Sequence, residues 1–328
     1  MPDRDARRLR ILTWHVHGNY LYYLSQVPHD FTVITQPGNP PGYSALGDGL
    51  PWGHNIREVP HDRVQDETFD CVLYQSRVHY EQDQHTLLSP AQRALPRVYL
   101  EHDPPQAHPT DTVHPFQDAD GLLVHVTPFN ALMWNSGVTP AVVVEHGVVL
   151  PKGVRYLGDL ARGVTVVNNL QKRGRRLGAD VFERVAGQVP IDLIGMGAKA
   201  MGGIGEVPNM ALPGRVSRYR FFFNPIRYTS LGLAVIEAMM IGVPVVGLAT
   251  TELATVIDNG VSGHIDTREE PLVATMRRLL DDPGLARAWG EAGRLQAEAR
   301  FGIGRFVRDW LAVFDRVCGP VALTRSEA

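Results

Sequence analysis

The chain has 328 residues, 44% of them hydrophobic and 20% charged, with a formal net charge of −3. That length favours two domains and supplies ample apolar material for their cores. The near-neutral balance excludes a global basic field of the kind that binds nucleic acid, and no acidic tail argues for disorder.

The chain opens "MPDRDARRLR", which is charged but has no following apolar region of the kind a signal peptide needs. Arg4, Arg7, Arg8 and Arg10 read as a solvated arm, with at most peripheral contact to the inner face of a membrane. "RILTWHV" then predicts a first strand, "YLYYLSQV" a helix and "DFTVITQP" a second strand. "FDCVLYQS", "RVYLEHD" and "GLLVHVT" are short apolar strands that run out into polar residues. "PFNALMWNSG" is helix-like, and "AVVVEHG" closes this half. After a Gly- and Pro-containing stretch at 145–163 the alternation resumes. "GVTVVNNL" predicts a strand, "RLGADVFERVAGQ" a helix, and "PIDLIGMG" and "RYRFFFNP" strands, the last stopped by Pro225. "SLGLAVIEAMMIG" predicts a helix ended by Gly242 and Pro244, and "VPVVGLA" a strand. Two helical stretches, "EPLVATMRRLLDDPGLARAWGEAGRLQAEARF" and "RFVRDWLAVFDRV", finish the chain. Strands alternating with helices mean an α/β class with parallel sheets, and a crevice at the carboxyl ends of the strands where ligands bind.

Twelve of the thirteen histidines precede residue 150 and only His264 follows, so the two halves have different chemistry. Cys71 and Cys318 are far apart in sequence, and Cys71 lies in an apolar run. A reduced, cytoplasmic protein without a disulfide framework is expected.

From Tyr228 to Thr251 the chain carries one charge, Glu237. A charged side chain is rarely kept in so apolar a stretch unless something pairs with it. If the helix starts at Ser230, then Ser230, Ala234 and Glu237 form one stripe, with Glu237 about 10 Å along the axis. Free N–H groups at the helix start beside Gly232 suit phosphate. A carboxylate further on suits the hydroxyls of a ribose. A nucleoside diphosphate fits such a stripe, and the competing reading is a solvated glutamate on an outer face. Lys172, Arg173, Arg175 and Arg176 form a basic cluster after a strand, suited to a diphosphate. At a helix start such charges oppose the dipole unless an anion is bound. "GMG" at 195–197 has no third glycine opening a helix, so it is not a dinucleotide fingerprint.

"FFNPIRYTSLGLAVIEAMMIGVPVVG" resembles the signature of the family 4, or group 1, retaining glycosyltransferases, near "P-S-x-x-E-G-F-G-L-V-x-x-E-A-M-A-x-G-x-P-V-V". Pro225, Tyr228, Gly232, Leu233, Glu237, Ala238, Met239, Gly242, Pro244, Val245 and Val246 fall in register without a gap. The resemblance implies the GT-B architecture, two Rossmann-like parallel-sheet domains facing across a cleft. It implies an N-terminal, acceptor-side domain over 1–150 and a nucleotide-sugar-binding domain over 151–304. A helix over 305–328 would return to the first domain. Glu237 takes the place of the second Glu of the family's E-x7-E motif, which holds the ribose hydroxyls. Thr229 stands where the first Glu helps to hold the donor sugar, and Ser230 where a Gly follows it. That departure leaves the sugar open, with Arg227 or Glu252 as candidate replacements for the lost contacts.

Weaker matches extend along the chain. "VVNNLQKRGRRLGADVF" is similar to the family's diphosphate-gripping element, with Lys172 and Arg173 in the basic role and Asn169 near the family's Arg. "IDLIGMG" is similar to the strand end beside the nucleobase, which gives Gly197. "ILTWHVHGNY" occupies the place of the first strand and glycine-rich loop, which gives Gly18, with His17 and Asn19 on the acceptor side. "RVYLEHDPP" is similar to the strand that supplies a His near the reacting sugar. That residue is His102, with Glu101 and Asp103 placed to tune its charge. The donor set expected is therefore Gly18, Asn169, Gly197, Thr229, Ser230, Leu231, Gly232 and Glu237, with His102, Lys172 and Arg173 catalytic.

The implied reaction moves a sugar from a nucleoside-diphosphate donor to the hydroxyl of a glycan, lipid or small molecule, with retention, without metal or cofactor. Domain closure would exclude water. Three alternatives are a sugar-nucleotide-binding protein without transfer, a nucleotide-sugar 2-epimerase of the same fold, and a metal hydrolase. The last would be built on His15, His17, His102, Asp103, His108, Asp111 and His114. "HDPPQAHPTDTVHP" reads as a loop that shapes acceptor choice.

Overall fold

A computed structural model describes residues 8–319. Arg4 and Arg7 of the basic arm lie outside the described residues. The chain divides into two compact units, one running through Gly147 and resuming at Ile303, the other spanning Val148–Gly302.

The first unit begins with β1 (Arg10–Trp14), α1 (Gly18–Leu24), β2 (Asp30–Thr35) and β3 (Ile56–Pro60). β4 (Cys71–Tyr74), a π-helical turn at His79–Asp83, α2 (Gln84–Leu87) and α3 (Pro90–Arg93) follow, then β5 (Arg97–Glu101), β6 (Leu122–His125), α4 (Pro128–Met133) and β7 (Ala141–Val143). The seven strands form one sheet in the order β3-β2-β1-β4-β5-β6-β7, and each pairing is parallel. Parallel sheets are covered on both faces, which is why β4 and β6 are buried at every position. β3, absent from the sequence reading, is an edge strand with exposed Arg57 and Glu58, polar as edges must be.

The second unit contains β8 (Leu160–Val166), α5 (Leu170–Leu177), α6 (Ala179–Ala186), β9 (Ile191–Ile194), α7 (Leu212–Val216), β10 (Tyr219–Asn224), α8 (Leu233–Ile241), β11 (Val245–Leu248), β12 (Gly263–Asp266), α9 (Glu269–Asp281) and α10 (Pro283–Phe301). Its sheet is ordered β12-β11-β10-β8-β9, again parallel throughout. The long helical stretch after residue 269 breaks where Asp282 Oδ1 accepts the Leu285 N–H at 2.9 Å and Pro283 opens the next helix.

α11 (Ile303–Cys318) belongs to the first unit. Its Trp310 and Phe306 are fully buried, and the Trp310 indole N–H donates to the Tyr20 hydroxyl at 3.2 Å. Phe314 packs edge-on against His29, with ring centres 5.4 Å apart. The same helix closes the sequence distance between the cysteines. The Cys318 thiol lies 4.0 Å from the Asp70 carbonyl, and Cys318 together with burial pushes the Cys71 thiol up. Neither cysteine is in a disulfide. Arg8 and Arg10 of the arm pair with Asp30 and Asp70. Among the described residues no helix is long and apolar enough to cross a membrane.

Candidate functional site

Each sheet reverses its strand order once, between β1 and β4 in the first unit and between β8 and β10 in the second. The carboxyl ends of strands at such a point diverge and leave a crevice. Most of the residues singled out from the sequence lie at these two ends.

In the second unit β8 runs out into Asn168 and Asn169. Asn168 Oδ1 accepts the Met196 N–H at 2.9 Å, and the Asn169 N–H donates to the Met196 carbonyl at 2.7 Å. These bonds tie the ends of β8 and β9 together. Gly197 has φ +71°, and a Cβ there would stand 3.2 Å from Asn169 Oδ1, so the two residues are neighbours. α5 is not one regular helix. Gly174 (φ 57°, ψ −141°) kinks it, with exposed Lys172 and Arg173 on the first turn and exposed Arg175 and half-buried Arg176 on the last. Only the first pair faces the dipole conflict read from the sequence. The second pair sits at a helix C-terminus, where positive charge is favoured.

The loop after β10 is fastened to α5 and α6. Arg176 offers its carbonyl to the N–H groups of Arg227 and Tyr228, at 3.1 and 3.2 Å. Arg227 grips Asp180 with two nitrogens at 2.6 and 2.8 Å and holds that carboxyl well below its usual range. Gly178, at φ +80°, passes so close that a Cβ would lie 1.9 Å from the Pro225 carbonyl oxygen. Arg227 is thus committed to a structural clamp. Glu252 is 2% exposed and bound to Arg300 at 2.8 Å. Both side chains proposed to stand in for the acid at Thr229 therefore already have partners within the protein.

α8 begins at Leu233 and not at Ser230. Gly232 is its N-cap, in an extended conformation, and the Ser230 carbonyl takes a hydrogen bond from Thr251 Oγ1 at 3.4 Å in place of a helical N–H. The 10 Å spacing therefore shortens. Glu237 is the fifth helical residue, about 6 Å beyond the first. Ala234 and Glu237 still share a face at i, i+3. α8 is apolar almost all round, as expected of a helix with most of its residues buried. Glu237 is 8% exposed, so it is not a solvated glutamate on an outer face. It lines a cavity of about 10 Å³ with Val166, Leu212 and Ala234, which places the residue beside the end of β8. Ser230 and Leu231 are buried, and Thr229 and Gly232 half-buried.

In the first unit β1 leads through His15 and Val16 to His17, Gly18 and Asn19 at the start of α1. His102 follows β5 directly. Its ring lies 4.2 Å from that of His17 and 4.7 Å from that of Tyr20, which in turn is 5.6 Å from His146. Burial, then the charges of His17 and His146, push the His102 imidazole well below its ordinary value. Glu101 is not what tunes it. Its carboxylate holds His114 Nε2 at 3.1 Å and the Asp103 N–H at 2.8 Å. Gln75, just past β4, bonds His102 Nε2 at 3.1 Å through Oε1. The sequence reading passed over Gln75, Tyr20 and His146. The signal for Gln75 was its place as the first polar residue after an apolar strand.

The histidine cluster read as a possible metal site does not assemble. His114 is fully buried, and its Nδ1 accepts the Phe116 N–H at 3.1 Å. His15 Nδ1 donates to the carbonyls of Ser44 and Ala45, both at 3.1 Å. Among the described residues no group of three or more His, Cys, Asp or Glu is arranged to hold a metal ion.

Residues 201–296 match the family model described as "Glycosyl transferases group 1". Over 92 residues the chain is 38% identical to D-inositol 3-phosphate glycosyltransferase 1 of Catenulispora acidiphila, a stretch that covers 27% of this chain and 22% of that relative's length. Among solved structures, sucrose-phosphate synthase of Thermosynechococcus elongatus superposes with a TM-score of 0.68 at 15% identity, covering 94% of this chain and 99% of that one. HepE of Anabaena, solved in complex with UDP, gives a TM-score of 0.64 at 11% identity, covering 94% and 100%. The chain resembles the group 1 glycosyltransferases and has the two parallel-sheet α/β domains of the GT-B fold.

Proposed function

We propose that the chain is a glycosyltransferase that moves a sugar from a nucleoside diphosphate to an acceptor hydroxyl, with retention of configuration and without metal. The observation that carries this reading is Glu237, a buried carboxylate on an otherwise apolar helix, at the end of β8 and inside the segment that matches the family model.

In this reading Glu237 accepts hydrogen bonds from the ribose hydroxyls of the donor. The start of α8 has N–H groups with no carbonyl one turn back, and these meet the diphosphate. Lys172 and Arg173 face the same charge from the first turn of α5. The bond from the sugar's anomeric carbon to the phosphate oxygen breaks, and its electron pair leaves with the diphosphate. The acceptor oxygen bonds the anomeric carbon from the same face, and its proton passes to the departing phosphate. No protein nucleophile is required. Each preorganised donor aimed at the growing negative charge is worth about 3–4 kcal/mol of barrier. His17 and Asn19 belong to the acceptor side, Gly18 faces the donor's phosphates, and His102 lies near the reacting sugar. With Thr229 neutral, and Arg227 and Glu252 engaged elsewhere, the sugar pocket differs from the family's common one. Two cysteines outside any disulfide suit a reducing cytoplasm.

The test is release of nucleoside diphosphate from a panel of nucleotide sugars, with glycan, lipid and small-molecule acceptors, with and without EDTA. Acceptor-dependent release that survives EDTA supports the proposal. Tight donor binding with no release under any acceptor identifies a binding protein, and loss of activity with EDTA removes the metal-free mechanism.

A further inference from the structure

Gln75 is 6% exposed, at the switch point of the first sheet. Its amide has one possible orientation. Nε2 lies 3.0 Å from the Trp14 carbonyl oxygen and 2.9 Å from Thr13 Oγ1. A carbonyl oxygen can only accept, so the atom facing it is the NH2 group. Thr13 Oγ1 gives its own hydrogen to the Leu73 carbonyl at 3.0 Å, which leaves it a lone pair for the second amide hydrogen. Both hydrogens of Gln75 are then used, and Oε1 is the atom turned to His102 Nε2 at 3.1 Å. An oxygen with lone pairs alone requires a hydrogen on that nitrogen.

The groups around His102 are Gln75 past β4, His17 before α1, Tyr20 on α1 and His146 past β7. None is a carboxylate, and burial, then His17 and His146, push the imidazole well below its ordinary value, which favours the neutral ring. In a neutral ring with hydrogen on Nε2, Nδ1 is bare. Asn130 Nδ2 fixes the backbone by donating to the His102 carbonyl at 3.2 Å.

We propose that Gln75 is a positioning residue that locks His102 in its Nε2–H tautomer, so that Nδ1 presents a lone pair and takes a sugar hydroxyl rather than an ionised phosphate oxygen. An ionised phosphate oxygen has only lone pairs to offer, and it would need the opposite tautomer or an imidazolium. The ligand class rests on the transferase reading above, whereas the tautomer does not.

The experiment is two-bond 1H–15N correlation on the full chain labelled with 15N-histidine. The His102 signals are assigned by their loss in His102→Asn. Wild type should show a protonated Nε2 and a bare Nδ1 at neutral pH. In Gln75→Leu the two nitrogen shifts should converge as the tautomers mix. Gln75→Glu should restore the Nε2–H pattern, with its carboxyl protonated on the oxygen that faces the Trp14 carbonyl and its other oxygen returned toward His102. An Nδ1–H tautomer or an imidazolium in wild type at neutral pH overturns the proposal. If Gln75→Leu does not fold, the wild-type and Gln75→Glu spectra decide. Calorimetry with UDP, GDP, ADP and TDP on the same samples reports separately on the transferase reading. Failure to bind any of them, with the Nε2–H pattern intact, would remove the sugar hydroxyl as ligand and leave the tautomer standing.

Discussion

In the second unit the loop, helix start and carboxylate of the proposed donor site all come from one stretch between Pro225 and Glu237. In the first unit the corresponding end of the sheet draws Gln75, His102, Tyr20 and His146 from four separate segments, with α11 arriving from the far end of the chain to support Tyr20. The donor site thus has a contiguous centre, joined by Lys172 and Arg173 from α5, whereas the other site is assembled wholly from contacts that only the fold creates. The contiguous centre depends on few distant contacts, the Arg227–Asp180 clamp among them. An assembled one depends on distant packing.

Substitutions can separate the two. The largest effect is expected for Trp310→Ala, which empties a fully buried position behind Tyr20. It should destabilise the first unit by about 3–5 kcal/mol in denaturant unfolding. Nucleoside-diphosphate affinity should stay within about twofold while the protein remains folded, since distant sites add independently. A large loss of affinity would mean that the sites are not separable.

Asp180→Asn comes next and strikes the clamp that anchors the loop after β10. Arg227 depresses the Asp180 carboxyl, so its contribution to stability is present above the unfolded value of about 3.9 and is lost as pH falls through the folded value. The variant should lose about 0.5–1 kcal/mol at neutral pH and show a shallower loss of stability on acidification. Equal slopes for variant and wild type would show that the clamp holds nothing.

Thr229→Glu restores the acid found in the family signature. It should change which donor sugars are turned over and leave nucleoside-diphosphate affinity within about twofold. The smallest effect is in thiol reactivity. Cys71 is buried with a raised thiol value, so it should resist alkylation in the native protein while the half-buried Cys318 reacts first. Mass spectrometry after brief iodoacetamide treatment would show the order.

The same contrast explains what could be read from the sequence. Strands buried on both faces, such as "CVLY" and "LLVH", announce themselves by unbroken apolar runs. β3 and β12 did not, because both are edge strands, short and polar, with "IREVP" and "GHID" carrying charges or a glycine. Glu237 was legible because a lone charge in an apolar helix is conspicuous. The start of that helix was misplaced by three residues because Ser230 looks like a cap. Its carbonyl is instead taken by Thr251, some twenty residues on, which no local pattern reveals. Arg227 and Glu252 looked available for the same reason, their partners Asp180 and Arg300 being 47 and 48 residues away. His102 was found by its place at a strand end, but the residue that sets its tautomer comes from the neighbouring strand, 27 positions earlier.

The most direct measurement is calorimetric titration of UDP, GDP, ADP and TDP, each with EDTA, into wild type and Glu237→Gln, with thermal melts to confirm folding. Losing a hydrogen bond to a charged group costs about 1.5–3 kcal/mol, so one diphosphate should bind wild type and bind the variant about 10- to 100-fold more weakly. Equal affinity in a folded variant, or no binding by any of the four, would contradict the assignment of Glu237 to a nucleotide donor.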